Sequence, residues 1–297
     1  MSAEIRMIAA AQWLNDYMLP STLALAVVAA ALEYRRSARG GQSGKRAVWL
    51  QTWRVNLGLL ACALAVSWLL APLASPVFGA ALSGQSGVLK WLPIPASAYV
   101  LQVVLGVLLL DVAMYWIHRA MHAVPLLWRL HQVHHSDEHM NASTHFRQHP
   151  VQIVVIAMLQ LPLLWLLGIP AVSWVFYTVL GIAVQMWQHS ALVSRPRLEQ
   201  VLSRLVVTPL MHRTHHDRRE QFHHANYGAV CPLWDHLFST YRAPPQHFQP
   251  GLLLPTGPHR LASPSLLQCL SMPFMSSSAS DTAAGGTHLQ TRPQGKP

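Results

Sequence analysis

Charged residues are scarce in this sequence. They make up 11% of its 297 residues, whereas an ordinary soluble domain has about 25%. Apolar residues make up 52%. Many of them form continuous runs whose lengths approach the roughly 20 residues needed to cross a bilayer. The composition therefore argues against an ordinary soluble domain and predicts an integral membrane protein.

Cysteine is scarce as well. The three cysteines, Cys62, Cys231 and Cys269, stand far apart and form no CxxC pair. This spacing argues against a disulfide framework and against a cysteine-based zinc site. No clear small-residue cleavage site follows the N-terminal charges, so we expect no cleavable signal peptide.

Acidic residues are few, 11 against 21 Lys and Arg, which gives a net charge of +10. The basic residues form no stripe interleaved with aromatic side chains, so nucleic acid is not expected as a partner. Many of them flank apolar runs instead. Residues 35–54 carry six Lys or Arg in a glycine-containing stretch that we interpret as a flexible loop, and residues 83–97 carry one. By the positive-inside rule the first loop is cytoplasmic and the second is not.

The apolar runs predict an all-α integral membrane bundle of about four to five transmembrane or re-entrant helices. Pro72 and Pro76 are expected to kink the second run or end it early. The Gly168-Ile169-Pro170 break predicts a hairpin of the last two runs. The runs cover residues 18–34, 57–82, 98–117, 151–167 and 171–186.

Histidine is abundant, and eight of the 18 histidines fall into three clusters. The spacings HxxxH and HxxHH put the members of a cluster on one helix face, where they present two or three nitrogens to one point. Span counting places all three clusters on the cytoplasmic side. Nitrogen-rich sites suit iron, zinc, copper or nickel, and the clusters predict a shared site for two metals. The clusters are His118 and His122; His131, His134 and His135; and His212, His215 and His216.

Two other interpretations compete with a catalytic site. A histidine-rich metal transporter or sensor predicts polar residues through several spans, but the runs contain mainly Asp111. A bis-histidine haem protein needs only axial pairs facing each other across the bilayer, and not triplets gathered on one side.

The three clusters, in this order, resemble the fatty acid hydroxylase and sterol desaturase superfamily of membrane di-iron enzymes. The similarity covers about residues 100–242 and extends beyond the clusters. It includes the stretch that leads from Asp111 into the first cluster, Arg147-Gln148-His149-Pro150, Gln188-His189-Ser190, Asn226-Tyr227-Gly228 and the segment from Trp234 to Tyr241.

The resemblance implies two iron ions, O2 as co-substrate and an oxidoreductase that hydroxylates a C–H bond of a lipid such as a fatty acyl chain or a sterol, or else desaturates it. It adds His189 as a ninth metal ligand. Relatives can have another histidine where this chain has Gln185. No cytochrome b5-like domain or ferredoxin-type cysteine cluster is visible, so we expect a separate cytochrome b5-, ferredoxin- or reductase-like electron donor. We also expect a multi-pass protein of a bacterial inner membrane.

The predicted domains are residues 1–98, with N-terminal membrane helices and the basic loop; residues 99–243, the hydroxylase-like catalytic domain; and residues 244–297, a Pro- and Ser-rich, largely disordered tail. Six residues are expected to support the metal ligands. Asp111 would accept a hydrogen bond from a ligand histidine or serve helix packing, and His149 is either a ligand or an orienting residue beside Arg147. The six are Asp111, Arg147, His149, Asn226, Tyr227 and Asp235.

Several histidines depart from the superfamily pattern, and His223-His224-Ala225 stands where relatives often have an acidic residue. We interpret the additional histidines as solvated surface residues. They are His139, His145, His223, His224, His236 and His247.

Overall fold

The computed structural model describes residues 3–39, 43–82, 87–92, 99–192, 196–252 and 264–275. Within these ranges the protein is helical and has no β-strand. Two short 3-10 helices lie at Ala142–Phe146 and Met272–Phe274. The α-helices are α1 (Ala3–Arg39), α2 (Ser43–Leu82), α3 (Val88–Trp91), α4 (Tyr99–Ala123), α5 (Pro125–His135), α6 (Pro150–Leu167), α7 (Ala171–His189), α8 (Pro196–Leu202), α9 (Pro209–His215), α10 (Glu220–His223), α11 (Leu233–Leu237) and α12 (Leu266–Ser271).

Four of these helices are long and apolar enough to cross a membrane, which confirms the predicted all-α membrane bundle. The candidate spans are Asp16–Arg36 in α1, Arg46–Leu82 in α2, Val100–Ala123 in α4 and Pro150–Leu167 in α6. Many large apolar side chains in them are exposed, for example Trp68 at 80% and Val100 at 76%. Such surfaces suit contact with lipid and not with water.

The basic segment 35–54 is mostly helical, which corrects the prediction of a flexible loop. Arg35 and Arg36 lie in the last turns of α1, and Arg46 and Arg54 lie at the start of α2. Arg, Lys and Ala are good helix formers, which accounts for the helix on both sides of residues 40–42; those three residues lie outside the described residues.

Helix α2 continues through Pro72 and Pro76 to Leu82, so neither proline ends it early. Its 40 residues correspond to about 60 Å of helix, roughly twice the thickness of the hydrocarbon core. The helix is therefore longer than one crossing requires. In its first half Trp53, Val55 and Asn56 are buried, and Asn56 donates a hydrogen bond to Ser143 of the first 3-10 helix at 2.9 Å.

Helix α7 occupies the centre of the bundle and contacts α1, α4, α9 and the first 3-10 helix, while α2 packs on α6. Gly106 of α4 permits a close approach, because a Cβ there would lie 2.4 Å from Ser173 Oγ of α7. The turn between α6 and α7 uses Gly168 with φ 65°. The hairpin returns the chain to the end of the bundle from which α6 starts.

Residues 264–275 depart from the prediction of a largely disordered tail. Ser265 caps α12 in a reciprocal capping box with Gln268. Cys269 is fully buried against Val55, Leu59 and Val133. The surrounding sequence is rich in Pro and Ser, so composition alone does not indicate this short amphipathic segment. Most of the remaining tail lies outside the described residues.

Candidate metal centre

Helix ends deliver the histidine clusters to one end of the bundle. The first pair lies in the last two turns of α4, and Pro125 forces the chain to start a new helix, α5, whose last turn carries the second cluster. Proline is well tolerated at the first helical position, where its missing N–H is not needed. Pro209 starts α9 in the same way, with Thr208 capping the Met211 amide. His189 is the last residue of α7.

The nine histidines named from the sequence form two groups. In each group every histidine offers one ring nitrogen, and these nitrogens lie within 4.8 Å of one another. Eight of the nine side chains are buried and His118 is half-buried. One group contains His118, His122, His131, His135 and His215, and the other contains His134, His189, His212 and His216.

Each triplet is divided between the two groups, a division that the sequence analysis did not anticipate. In the α5 triplet His131 and His135 enter the five-histidine group, and His134 enters the four-histidine group. The α9 triplet does the reverse, since His215 alone joins the five-histidine group. Residues four apart stay together, while the one between them turns to the opposite group. The stacked rings of His135 and His216, 4.3 Å apart, join the groups.

Hydrogen bonds fix the tautomer of five of the nine rings. A carbonyl oxygen only accepts, so a ring Nδ1 facing one carries the proton and leaves Nε2 with a free lone pair. Gln152 Oε1 fixes His131 at 3.4 Å. The backbone carbonyls do the same for four others: Tyr227 O for His118 at 2.8 Å, Arg147 O for His134 at 3.2 Å, Gln185 O for His189 at 2.6 Å and Ala225 O for His215 at 2.7 Å.

These tautomers fit a metal cation in the four-histidine group. The Nε2 atoms of His134 and His189 are 3.1 Å apart, and neither carries a proton. Two lone pairs facing each other at this distance repel unless a cation lies between them. His212 Nε2 lies 2.9 Å from His189 Nε2 and 3.1 Å from His216 Nε2, so all four rings point at one place.

The five-histidine group fits a cation for a related reason. Seven ring nitrogens of this group are buried and have no hydrogen-bond partner among the described residues. They are Nε2 of His118, His131 and His215 and both nitrogens of His122 and His135. Burying so many polar atoms without partners is costly. Metal coordination relieves that cost, and all-imidazole sites suit iron, zinc, copper or nickel.

Burial also keeps these rings neutral. It lowers the pKa of His134 to about 3 and the pKa of His212, His215 and His216 well below the ordinary value, with neighbouring imidazoles adding to the effect. At neutral pH each ring therefore offers a lone pair, which is the form that binds a metal.

Asp111 does not hydrogen-bond a histidine, which corrects the first of its predicted roles. Its carboxylate accepts from Trp234 Nε1 at 2.8 Å, Cys231 N at 2.9 Å, Tyr177 OH at 3.0 Å and Val230 N at 3.1 Å. It therefore ties the segment around residues 230–234 to α4 and α7. Its function is to hold the segment that closes over the site, and not to orient a ligand ring.

Arg147 supports the α5 triplet through both backbone and side chain. Its carbonyl accepts from His134, and its buried guanidinium donates to Val133 O at 3.2 Å, Ser136 Oγ at 3.0 Å and Asn56 Oδ1 at 3.1 Å. The C-terminal end of α5 is thereby held against α2.

His149 lies in neither histidine group. Its Nδ1 accepts from the Val151 amide at 3.2 Å, which caps α6, and its Nε2 donates to Leu270 O at 3.2 Å. Both ring nitrogens are occupied by these bonds, so the structure gives His149 the role of joining α6 to residues 264–275.

We expect His149→Ala to lower stability without loss of metal. Removing a helix cap costs about 1 kcal/mol, and the bond to Leu270 is lost as well. Metal analysis of the purified variant should give the same stoichiometry as the wild type, while its thermal unfolding in detergent shifts to lower temperature. Loss of one metal with unchanged unfolding would instead make His149 a ligand.

Residues 225–241 supply backbone carbonyls that accept hydrogen bonds from two rings of the five-histidine group. Asn226 adopts φ 54° and donates to Met211 O and Arg242 O. Asp235 accepts from the amides of Tyr227 and Gly228, each at 2.8 Å. This places Tyr227 O against His118 and packs the Tyr227 ring beside the neighbouring histidines. Asp235 thus fixes the closing segment.

Two additional histidines are partly buried, which corrects the interpretation of them as solvated surface residues. His223 packs between His122 and Trp128, with ring centroids 4.8 and 4.6 Å away, and burial lowers its pKa to about 4. His145 lies near His189, and burial lowers its pKa to about 4 as well. His139 and His224 are exposed, as expected.

Three supporting residues escaped the sequence analysis: Gln152, Gln185 and Ala225. Two of them act through backbone carbonyls, for which a sequence has no signal. Gln152 has one, because it is a polar residue in the first turn of a mainly apolar helix.

A membrane helical bundle with two buried, convergent histidine groups at one end defines the class of this protein. Comparison with known proteins identifies the particular family. Residues 103–240 match the model of the fatty acid hydroxylase family. This match includes all nine histidines. Residues 103–240 therefore form a fatty acid hydroxylase domain within this chain.

Curated relatives match about half of the chain. Human alkylglycerol monooxygenase is 34% identical over 146 residues, 49% of this chain and 32% of that protein. Ornithine lipid hydroxylase OlsE of Rhizobium tropici is 31% identical over 147 residues, 49% and 43% of the two chains. Human lathosterol oxidase is 29% identical over 134 residues, which are 45% of this chain and 42% of that protein. The chain thus spans about a third of the length of the alkylglycerol monooxygenase that it matches. No solved structure matches it significantly.

Proposed function

We propose that this protein is a membrane-bound di-iron oxygenase that uses O2 to hydroxylate a C–H bond of a lipid. The observation that supports it most is the pair of buried histidine groups, in which protonated Nδ1 atoms leave Nε2 lone pairs converging on two places. The five-histidine and four-histidine groups would each hold one iron. Iron bound there would supply the redox chemistry by which O2 is activated.

The substrate is a lipid such as a fatty acyl chain, a sterol or a related compound. The site lies at one end of a bundle with four helices that are long and apolar enough to cross a membrane, and a lipid held in the bilayer would reach it from there. Relatives whose names contain alkylglycerol, ornithine lipid and lathosterol support a lipid as the substrate class. In the net reaction one oxygen atom enters the C–H bond, and the other leaves as water with two electrons and two protons.

The electrons would come from a separate cytochrome b5-, ferredoxin- or reductase-like protein. Exposed Arg35, Arg36, Arg46 and Arg54 lie on the ends of α1 and α2 that approach the site, and such a surface attracts an acidic carrier. Arg213 does not belong to this surface, because it is largely buried and donates to Met140 O.

The same arginines support a cytoplasmic location of the site under the positive-inside rule. We also propose that the protein lies in a bacterial inner membrane. Accessibility of a cysteine introduced at Arg36 to a membrane-impermeant thiol reagent, compared in intact cells and inverted vesicles, tests the sidedness.

Mass spectrometry of membrane lipids tests the activity. We expect cells that express the protein under ¹⁸O2 to accumulate a lipid that has gained one labelled oxygen, and purified protein to contain close to two iron ions per chain. The variant His134→Ala/His215→Ala, which lacks one ligand from each group, is the matched control. A lipid that has lost two hydrogens instead would identify a desaturase. An unchanged lipid profile in the presence of an electron donor, or protein that contains only zinc, would contradict the proposal.

A further inference from the structure

Glu33 is a buried carboxylate in α1, outside the region that matches the family. Only 3% of its surface is exposed, and it follows an apolar run in a candidate membrane span. A charge in such a position is costly and calls for specific partners.

The partners of Glu33 lie on segments that lead to the four-histidine group. Its Oε1 accepts from the Ala191 amide at 2.9 Å and from the Ala142 amide at 3.0 Å. Its Oε2 receives a longer hydrogen bond from Trp49 Nε1, 3.5 Å away. One oxygen therefore joins two chain segments that are about 50 residues apart in sequence.

Each segment is connected closely to one ligand. Ala191 follows His189 by two residues. Ala142 begins the 3-10 helix that ends just before Arg147, whose carbonyl fixes the tautomer of His134.

A third connection runs through Arg213. This residue follows His212, donates to Met140 O at 3.2 Å and interacts electrostatically with Glu33. Two ligands of the group are thus linked to this carboxylate through hydrogen-bonded segments, and His212 is linked to it only through the charge of its neighbour Arg213. The Arg147 side chain also holds the end of α5. The histidines of the five-histidine group whose Nδ1 partners are described are fixed by Tyr227 O, Gln152 Oε1 and Ala225 O, which lie outside the segments that Glu33 holds.

We propose that Glu33 is a positioning residue that holds the four-histidine group in its metal-binding geometry, so that the N-terminal helix completes a site whose ligands all lie in residues 103–240. The proposal rests on the proposed function only in assigning a metal to this group. It predicts an asymmetric effect, because the five-histidine group has its own supports.

The experiment measures iron per folded chain in purified full-length variants loaded with Fe²⁺ under anaerobic conditions. Glu33→Met keeps the length of the side chain but has no acceptor for the two amides, and Glu33→Ala removes the side chain. We expect both to retain about one iron where the wild type holds two, through a 10- to 100-fold loss of affinity at one site. Glu33→Gln, which keeps the Oε1 acceptor, should restore the second iron.

Trp49→Phe is the matched control, because it removes only the longer bond to Oε2 and should keep two irons. Two irons in Glu33→Met, or failure of Glu33→Gln to restore the second iron, would overturn the inference. If neither Glu33→Met nor Glu33→Ala folds, Glu33→Asp replaces them, since the carboxylate of the shorter side chain cannot reach both amides. It should then release one of its two irons to a chelator faster than the wild type, and equal release rates would contradict the proposal.

The outcome is separable from that of the proposed function. Wild-type protein that holds two irons but oxidises no lipid would contradict the oxygenase activity and leave the role of Glu33 testable. Wild-type protein that binds no metal would contradict both.

Discussion

Replacing His215 by alanine is expected to abolish lipid oxidation. His215 is fully buried, and its ring is held by Ala225 O so that the unprotonated Nε2 faces the other four histidines of its group. Loss of a residue that hydrogen-bonds to a metal ligand typically lowers metal affinity or activity 10- to 100-fold, and loss of the ligand itself should have a larger effect. We expect product formation to fall by at least about 100-fold, measured as hydroxylated lipid per folded chain.

The matched control is His139→Ala. His139 follows the α5 triplet by four residues but is exposed and belongs to neither group, so we expect activity within about twofold of the wild type. Full turnover in His215→Ala with both metals bound would contradict the site.

Paired variants of α5 test the division of the triplets. His131→Ala/His135→Ala removes two ligands from the same group, so the four-histidine group should retain its metal. His131→Ala/His134→Ala removes one ligand from each group and should deplete both. The two variants remove the same number of histidines from the same helix, and a common loss of helix stability would affect them alike. Equal metal contents would therefore argue against two separate groups.

The sequence predicts which histidines converge, because the spacings three and four place them on one helix face and span counting places the faces on one side of the membrane. It does not predict the division of His131, His134 and His135. That division depends on the rotation of α5 against α4 and α9, which side-chain packing sets. Spacing therefore predicts eight of the nine converging histidines, the resemblance adds His189, and neither predicts the partition.

Long-range polar partners account for the roles that were missed. The acceptors of Glu33 and Asp111 receive hydrogen bonds from residues more than 100 positions away, and nothing in a local pattern identifies such partners. A buried acid in an apolar run does indicate that a partner exists. The same limit applies to Cys269, whose surroundings come from α2 and α5.

The support of the candidate site thus comes from three directions. Glu33 holds the four-histidine group from the N-terminal helix. Asp235 and Asn226 hold the closing motif behind the five-histidine group. Residues 264–275 pack beneath α5 through Cys269 and contact Arg147 at 3.4 Å. The matched domain carries the ligands, and regions on both sides of it carry part of the framework.

The second large effect is expected at Asp111, where the structure and the sequence assign different roles. Asp111→Ala leaves three N–H groups and the Tyr177 hydroxyl without their acceptor. Each buried donor left without an acceptor costs about 1–3 kcal/mol, so the free energy of unfolding should fall by about 3 kcal/mol or more.

Asp111→Asn separates the two roles of Asp111. Its remaining oxygen can still accept from Tyr177 and Val230, while its amide nitrogen faces the donors of Cys231 and Trp234, so we expect a loss between those of the wild type and the alanine variant. The metal site should be unaffected in the fraction that stays folded, because His118 donates to Tyr227 O and not to Asp111. Denaturant titration in detergent measures the stability, and the absorption spectrum of the metal-loaded protein reports on the ligands. A changed spectrum at unchanged stability would restore the ligand-orienting role and contradict the anchoring role, since only the latter requires that Asp111 act through residues 230–234.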